Sequence, residues 1–410
     1  MFTEATASDR AFSCASRAKD KPFTKVGVPS QYVHVPKAAG SSIQMLLAYY
    51  IAIPQDIFFI VGEVQDYPVN PPGTMFAGHS PIVNSPDSKY QAKRDFYARN
   101  PLFMSTIREP MSRMISLYDY RALFNMSMCE GPLDEDGYYS RTGFLDIVFP
   151  GPSKSMCEAV AQFKLDEADA IASGVSETGL MDHFYKKRHP LVLQMAKETL
   201  YSWFVPRDDP ERTYPSTTES ALACAMSNAL RTDILINSER YDETVLASLK
   251  YHAPYLQFDV ATIQEEAGRE NIVQGQRTAQ ILSPETIAEI QRLPTFVQDT
   301  RFYLFADKVA MAREANLMAC MKQLNETDLR LMTGGTIPHY PGHHECQETC
   351  EDVLTEDEWL MIKNADCGKA PEEYPVFPGS PAGIPPYQPD NGANPGHPEI
   401  PPVMMQRRRQ

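Results

Sequence analysis

The stretch Gln31-Tyr-Val-His-Val35 runs without a break into Pro36-Lys-Ala-Ala-Gly-Ser-Ser42 and then Ile43-Gln-Met-Leu-Leu-Ala-Tyr-Tyr50. The first segment is β-branched and aromatic, the pattern of a buried strand. The last is a continuous apolar run of helical length. Strand, small-residue loop and helix in that order open a βαβ unit. Small residues after the strand let backbone N–H groups turn toward a bound anion, and the helix that follows adds its own free amides and dipole. Lys37 contributes a mobile positive charge, and Ser41 and Ser42 contribute hydroxyl donors. The loop Pro36, Lys37, Ala38, Ala39, Gly40, Ser41 and Ser42 therefore reads as a cradle for phosphate or sulfate. It is not a Walker A loop, because that motif places Lys directly before its Ser/Thr, after the last Gly.

Outward from this unit, Ile57–Val61, Thr74–Gly78, Leu102–Ile107 and Asp233–Asn237 are short apolar runs bounded by turn residues, each a strand candidate. Helical segments follow several of them. Pro110–Phe124 starts with Pro at its first helical position, and Tyr241–Tyr251 is a second candidate. Alternating strands and helices predict an α/β fold, a P-loop-like parallel β-sheet flanked by helices. Residues 1–26 read as a loose leader and 27–325 as the main domain, with a helical insertion at about 155–230. A further helical region covers about 284–324. Residues 326–369 form a Cys/His-containing accessory segment. Residues 370–410 hold 11 of the chain's 34 prolines, which predicts a disordered Pro-rich tail.

The chain has 410 residues, 43% of them hydrophobic and 22% charged, enough for a sizeable core. With 38 Lys+Arg against 53 Asp+Glu, the formal charge is −15. That balance argues against broad binding to nucleic acid. No run approaches the length of a transmembrane segment, and residues 1–26 lack the pattern of a signal peptide. The eight cysteines are too sparse for a disulfide scaffold. Cys346, Cys350 and Cys367 suggest a local staple, whereas His339, His343, His344, Cys346 and Cys350 fit no zinc template well.

A second segment with chemistry is Ser105-Thr-Ile-Arg108-Glu-Pro-Met-Ser112-Arg-Met-Ile-Ser116-Leu-Tyr118. Arg108 sits at the C-terminal end of a strand, and Ser112 and Ser116 share one face of the next helix. An Arg fork with a nearby hydroxyl suits a terminal phosphate, and Arg113 is a second candidate there. A third segment, Thr74-Met-Phe-Ala-Gly78-His79, ends a strand in Gly-His and offers an imidazole as general base. His34 reads as core. Lys186-Lys-Arg188-His189 is the densest basic run and reads as a solvated helix end.

Taken together, these segments resemble the Golgi-type carbohydrate sulfotransferases. Val35-Pro-Lys-Ala-Ala-Gly-Ser-Ser42 is similar to their 5′-phosphosulfate loop, "hIPKTGGTS". Ile107-Arg-Glu-Pro-Met-Ser-Arg-Met-Ile-Ser-Leu-Tyr118 is similar to their 3′-phosphate segment, "lRDPveRliSlY". Gly78-His79 resembles the "GH" of the uronyl/heparan 2-O-sulfotransferase branch. Ile234-Leu-Ile-Asn-Ser-Glu-Arg-Tyr-Asp-Glu-Thr-Val-Leu246 resembles the "lllsErfdesLvlL" segment of the superfamily, and Arg301–Phe305 faintly resembles a segment of the galactose 3-O-sulfotransferase branch. The resemblance spans about residues 30–310, in order. It departs from the pattern at Ala38-Ala39, where Thr-Gly or Thr-Ala is usual.

The resemblance implies transfer of a sulfuryl group from 3′-phosphoadenosine 5′-phosphosulfate to a hydroxyl of a glycan or other acceptor. In that scheme Lys37 stabilises the leaving bisphosphate, and the 36–42 loop holds the 5′-phosphate. Arg108 and Ser116 hold the 3′-phosphate, and His79 takes the acceptor proton. No metal is implied. The family's location would be the Golgi lumen or membrane if an N-terminal anchor precedes this chain, and the cytoplasm otherwise. Two other readings compete: a P-loop-like nucleotide kinase or hydrolase, and a non-catalytic nucleotide-binding scaffold. The acceptor, the hydroxyl sulfated and the oligomeric state are not written in the sequence.

Overall fold

All five strand candidates become strands: β1 (Ser30–Val33), β2 (Phe59–Val61), β3 (Met75–Gly78), β4 (Leu102–Ile107) and β5 (Ile234–Asn237). They pair in parallel throughout, in the order β2-β3-β1-β4-β5. The computed structural model describes residues 28–52, 56–61, 64, 73–78, 82, 91–99, 101–122, 129, 133, 154–205, 219–240, 280–323, 354–363 and 365. The expected helix at 241–251, the Cys/His cluster before 354 and the Pro-rich tail lie outside them.

Both faces of the sheet are covered, as a parallel sheet of continuous apolar strands requires. Side chains alternate between the faces. Tyr32, Met75, Ala77, Leu102, Met104, Ile234 and Ile236 pack on one side against Ile43, Leu46, Leu47 and Ile51. Those residues belong to helix α1 (Gly40–Leu46) and to the wider π-helical turns that extend it over Leu47–Ala52. Val33, Phe76, Phe103, Ile107 and Leu235 point the other way. They meet Phe96 of α2 (Gln91–Ala98), a helix that the sequence pattern did not reveal.

Helix α3 (Pro110–Ala122) leaves the end of β4 and packs into a separate helical cluster. That cluster contains α4 (Lys154–Ala172), α5 (Leu180–Lys186) and α6 (Pro190–Lys197), inside the expected insertion. Helix α7 (Glu219–Arg231), at the end of the same range, instead lies in the sheet's own core through Leu222, Ala225, Met226 and Ala229. The region at 284–324 resolves into α8 (Pro284–Gln291) and the long α9 (Pro294–Gln323). Ser283 caps α8 by accepting a hydrogen bond from the Thr286 amide, and Pro284 takes the first helical position. Helix α10 (Glu356–Lys363) closes the sheet core with Ile362, and Glu358 of α10 binds Lys308 of α9 at 2.8 Å.

Two long-range devices hold the helical cluster in place. Cys157 of α4 forms a disulfide with Cys129, and Cys224 of α7 is also disulfide-bonded. A bridge across 28 residues stabilises by about 3.6 kcal/mol through the unfolded chain, on the loop-entropy account. The second device is a buried charge group. Arg113 of α3 is 2% exposed and lies 3.6 Å from the Glu198 carboxylate and 3.9 Å from that of Asp299. Arg113 also donates to the Glu198 carbonyl. It is thereby committed to the core, and the anion-binding role considered for it does not hold. Asp299 of α9 accepts the amides of Leu200 and Tyr201 at 2.5 and 3.0 Å, fixing the turn that leads into the 3-10 helix Tyr201–Phe204.

Burial dominates at Asp299 and raises its carboxyl to about 6; Arg113 and the two amides oppose the shift, and the Glu198 charge adds to it. A folded value above the unfolded 3.8 means the native state holds this proton more tightly, and stability falls as pH rises through that window. Asp299→Asn keeps the amide acceptor and removes the titration. Between pH 4.5 and 7, urea unfolding of the wild type should lose about 2 kcal/mol more than that of the variant. Parallel pH profiles would show that the buried carboxylate does not titrate there.

Candidate functional site

In this strand order the chain leaves β1 toward β2 and leaves β4 toward β5, on opposite sides of the adjacent β1–β4 pair. The crevice outside their C-terminal ends is the topological switch point, where open α/β sheets bind ligands. Both anion-binding candidates of the sequence sit there. Lys37 follows β1 and Arg108 follows β4.

The loop after β1 is held in an unusual conformation. Lys37 and Ala39 are both in the left-handed region, with φ of 62° and 59°. Non-glycine residues pay for this with steric strain between Cβ and the following carbonyl. The Lys37 carbonyl is fixed by Arg108, whose Nη1 donates to it at 3.0 Å. The next residue, Gly40, has no room for a side chain: a Cβ there would fall 1.9 Å from Cδ2 of His34. His34 is buried, as expected of a core residue, and its Nδ1 is 2.8 Å from Oε1 of Gln44 in α1. The imidazole therefore forms the floor against which the loop turns into the helix.

Lys37 and Arg108 are each half-buried, and among the described residues neither has a carboxylate within ion-pair distance. Burial depresses the Lys37 ammonium below the ordinary lysine value, and the Arg108 charge depresses it further, while Asp119 partly compensates. Arg108 is likewise lowered by burial, against the opposing charges of Glu239, Glu109 and Asp119. Two like charges in a partly desolvated crevice, without an ion-pair partner, favour an anion between them. The Lys37 Nζ lies 4.6 Å from the centroid of the Tyr120 ring, a cation–π contact.

Helix α3 forms the other wall. Its first turn is already capped: the Glu109 carboxylate accepts the amides of Met111 and Ser112 at 3.0 and 2.6 Å. The helix start is therefore not the anion contact, and Arg108 is the cation at this end. Ser116 is part-buried on α3, one helical turn before Tyr120, whose ring meets Lys37 Nζ. Ser42 is 8% exposed and Ala38 is fully buried beneath the loop, while Pro36 is half-buried at its start. The side chain of Ser41 and all of His79 lie outside the described residues. Gly78, which precedes His79, ends β3 in register with Val33 of β1.

The sequence reading missed Asp119, Tyr120 and Glu239 as neighbours of the two cations. The first two were within reach, since they lie one turn beyond Ser116. The basic run at 186–189 is tied down: Lys186 pairs with Asp182 at 2.7 Å, Arg188 with Glu289 at 2.5 Å and His189 with Asp166 at 3.1 Å. No family model matches the sequence, and no curated protein matches it.

The loop geometry makes opposite demands on neighbouring residues. Ala39→Gly should raise stability by about 1 kcal/mol by relieving the left-handed strain. Gly40→Ala should lower it by about 2 kcal/mol or more, because the new methyl must displace the His34 ring. Chemical denaturation of both variants checks this, and equal effects would contradict the described turn.

Proposed function

We propose that the chain is a sulfotransferase that moves a sulfuryl group from 3′-phosphoadenosine 5′-phosphosulfate to a hydroxyl of a carbohydrate acceptor. The observation that carries the reading is the meeting of Lys37 and Arg108 at the switch point, two cations joined through the Lys37 carbonyl and without ion-pair partners among the described residues. Support comes also from the order of the segments along the chain, which resembles that of the Golgi-type carbohydrate sulfotransferases. The donor is an anion with two separated phosphate positions. The site offers one cation on the loop after β1 and another at the end of β4.

In this reading the 36–42 loop and Lys37 hold the 5′ end of the donor, and Arg108 with Ser116 holds the 3′-phosphate. The sulfur–oxygen bond to the 5′-phosphate breaks as the acceptor oxygen bonds to sulfur, in line. Charge builds on the departing phosphate oxygen, and in this reading the Lys37 ammonium stabilises it. The partly desolvated crevice strengthens that interaction beyond its value in water. His79, directly after β3, takes the proton of the acceptor hydroxyl. The acceptor is a glycan or another hydroxyl-bearing molecule. Disulfide bonding at Cys129, Cys157 and Cys224 suits an oxidising compartment such as the secretory lumen. No helix among the described residues is long and apolar enough to cross a membrane.

Calorimetric titration with adenosine 3′,5′-bisphosphate tests the donor site. The wild type should bind near micromolar affinity, and Arg108→Ala should lose more than about tenfold, roughly 1.4 kcal/mol. Binding should also weaken as pH rises through the depressed Lys37 titration, below the ordinary lysine range, because only the ammonium attracts phosphate. Magnesium-dependent ATP turnover without bisphosphate binding would favour the kinase or hydrolase reading instead.

A further inference from the structure

The end of β5 lies beside Arg108. Ile107 of β4 is the register partner of Asn237 of β5, so Arg108 and Ser238 leave adjacent parallel strands at the same level. Glu239 is the first of the charges that favour the Arg108 guanidinium, which places the turn after β5 at the same crevice. That turn is rigidly built. Asn237 donates to Tyr303 Oη at 3.2 Å and to Asp307 Oδ1 at 2.7 Å, and its own Oδ1 accepts the Glu239 amide at 2.9 Å. Arg240 binds Asp307 at 2.6 Å, and Tyr303 donates to Glu239 Oε2 at 3.2 Å.

Within this network one polar atom is unmatched. Ser238 Oγ is shielded from solvent and has no hydrogen-bond partner among the described residues, although its residue is only part-buried. A hydroxyl left in this state costs stability, and such groups call for an explanation. An anion bound by Arg108 supplies one. The hydroxyl reaches other staggered χ1 wells by rotation about a single bond, and it can then donate a charge-assisted hydrogen bond to a phosphate oxygen.

We infer that Ser238 is a further ligand of the phosphate held by Arg108, and that the β5 turn is the third wall of the 3′-phosphate site. The inference rests on the donor-site reading above. It makes recognition of the 3′-phosphate depend on β5 as well as on β4 and α3. A nucleotide lacking that phosphate gains nothing from Ser238.

The test compares wild type, Ser238→Ala and Ser238→Thr by calorimetric titration with adenosine 3′,5′-bisphosphate and with adenosine 5′-monophosphate, alongside thermal unfolding. Ser238→Ala should weaken the bisphosphate about tenfold and leave the monophosphate unchanged. Its melting temperature should stay level or rise, because an unmatched hydroxyl is removed. Ser238→Thr should recover most of the affinity, since it keeps the hydroxyl. Equal bisphosphate affinity of wild type and Ser238→Ala overturns the inference while leaving the donor site standing. So does an equal loss for both nucleotides, or a lower melting temperature without a change in affinity. A folded wild type that binds no bisphosphate overturns the donor-site reading, and this inference with it.

Discussion

Arg108 donates one hydrogen bond to the carbonyl of Lys37, and the arrangement of the crevice depends on that bond. It joins the end of β4 to the loop after β1 across the point where the chain's connections diverge. It also holds Lys37 in a left-handed conformation that a non-glycine residue does not keep unaided. Two positive groups are thus brought close in a site where burial weakens both charges. Left alone, this is an unfavourable arrangement. An anion with more than one negative group turns the same arrangement into an attraction.

The surroundings keep the cations available. Glu109, next to Arg108 in the chain, is the obvious ion-pair partner, yet its carboxylate is occupied by the first amides of α3. Glu239 accepts a hydrogen bond from Tyr303, and Asp307 is taken by Asn237 and Arg240. Arg113, one turn along α3, is neutralised inside the protein by Glu198 and Asp299. Acidic side chains are numerous in this chain of charge −15, and near the crevice several are committed to partners other than Lys37 and Arg108. Net charge therefore says little about what such a pocket attracts.

The sheet was legible in the sequence because its strands are short, continuous apolar runs between turn residues, as at Leu102–Ile107. Boundaries shifted by one or two residues, for example from Gln31–Val35 to Ser30–Val33, because strand ends are set by pairing partners elsewhere in the chain. Lys37 and Arg108 were legible because Lys37 lies in the small-residue loop after a strand and Arg108 directly follows one. Arg113 was misread since its partners lie 85 or more residues away in sequence, and no local pattern encodes such a pairing. The Cys129–Cys157 bridge was hidden for the same reason. Helix α2 is short, and its Gln-Ala-Lys-Arg-Asp sequence buries only one large apolar side chain, Phe96, so it carried little periodic signal. Gly40 was read as a small residue for anion approach; the ring of His34 beneath it adds a packing reason that appears only in three dimensions.

The most direct test of the central claim is a crystal structure of the chain with adenosine 3′,5′-bisphosphate. The account predicts the nucleotide across the C-terminal ends of β1 and β4, with its 5′-phosphate within hydrogen-bond distance of Lys37 Nζ and its 3′-phosphate on Arg108 and Ser116. A nucleotide bound elsewhere, or a crevice in which carboxylates close on both cations and exclude it, would contradict the account.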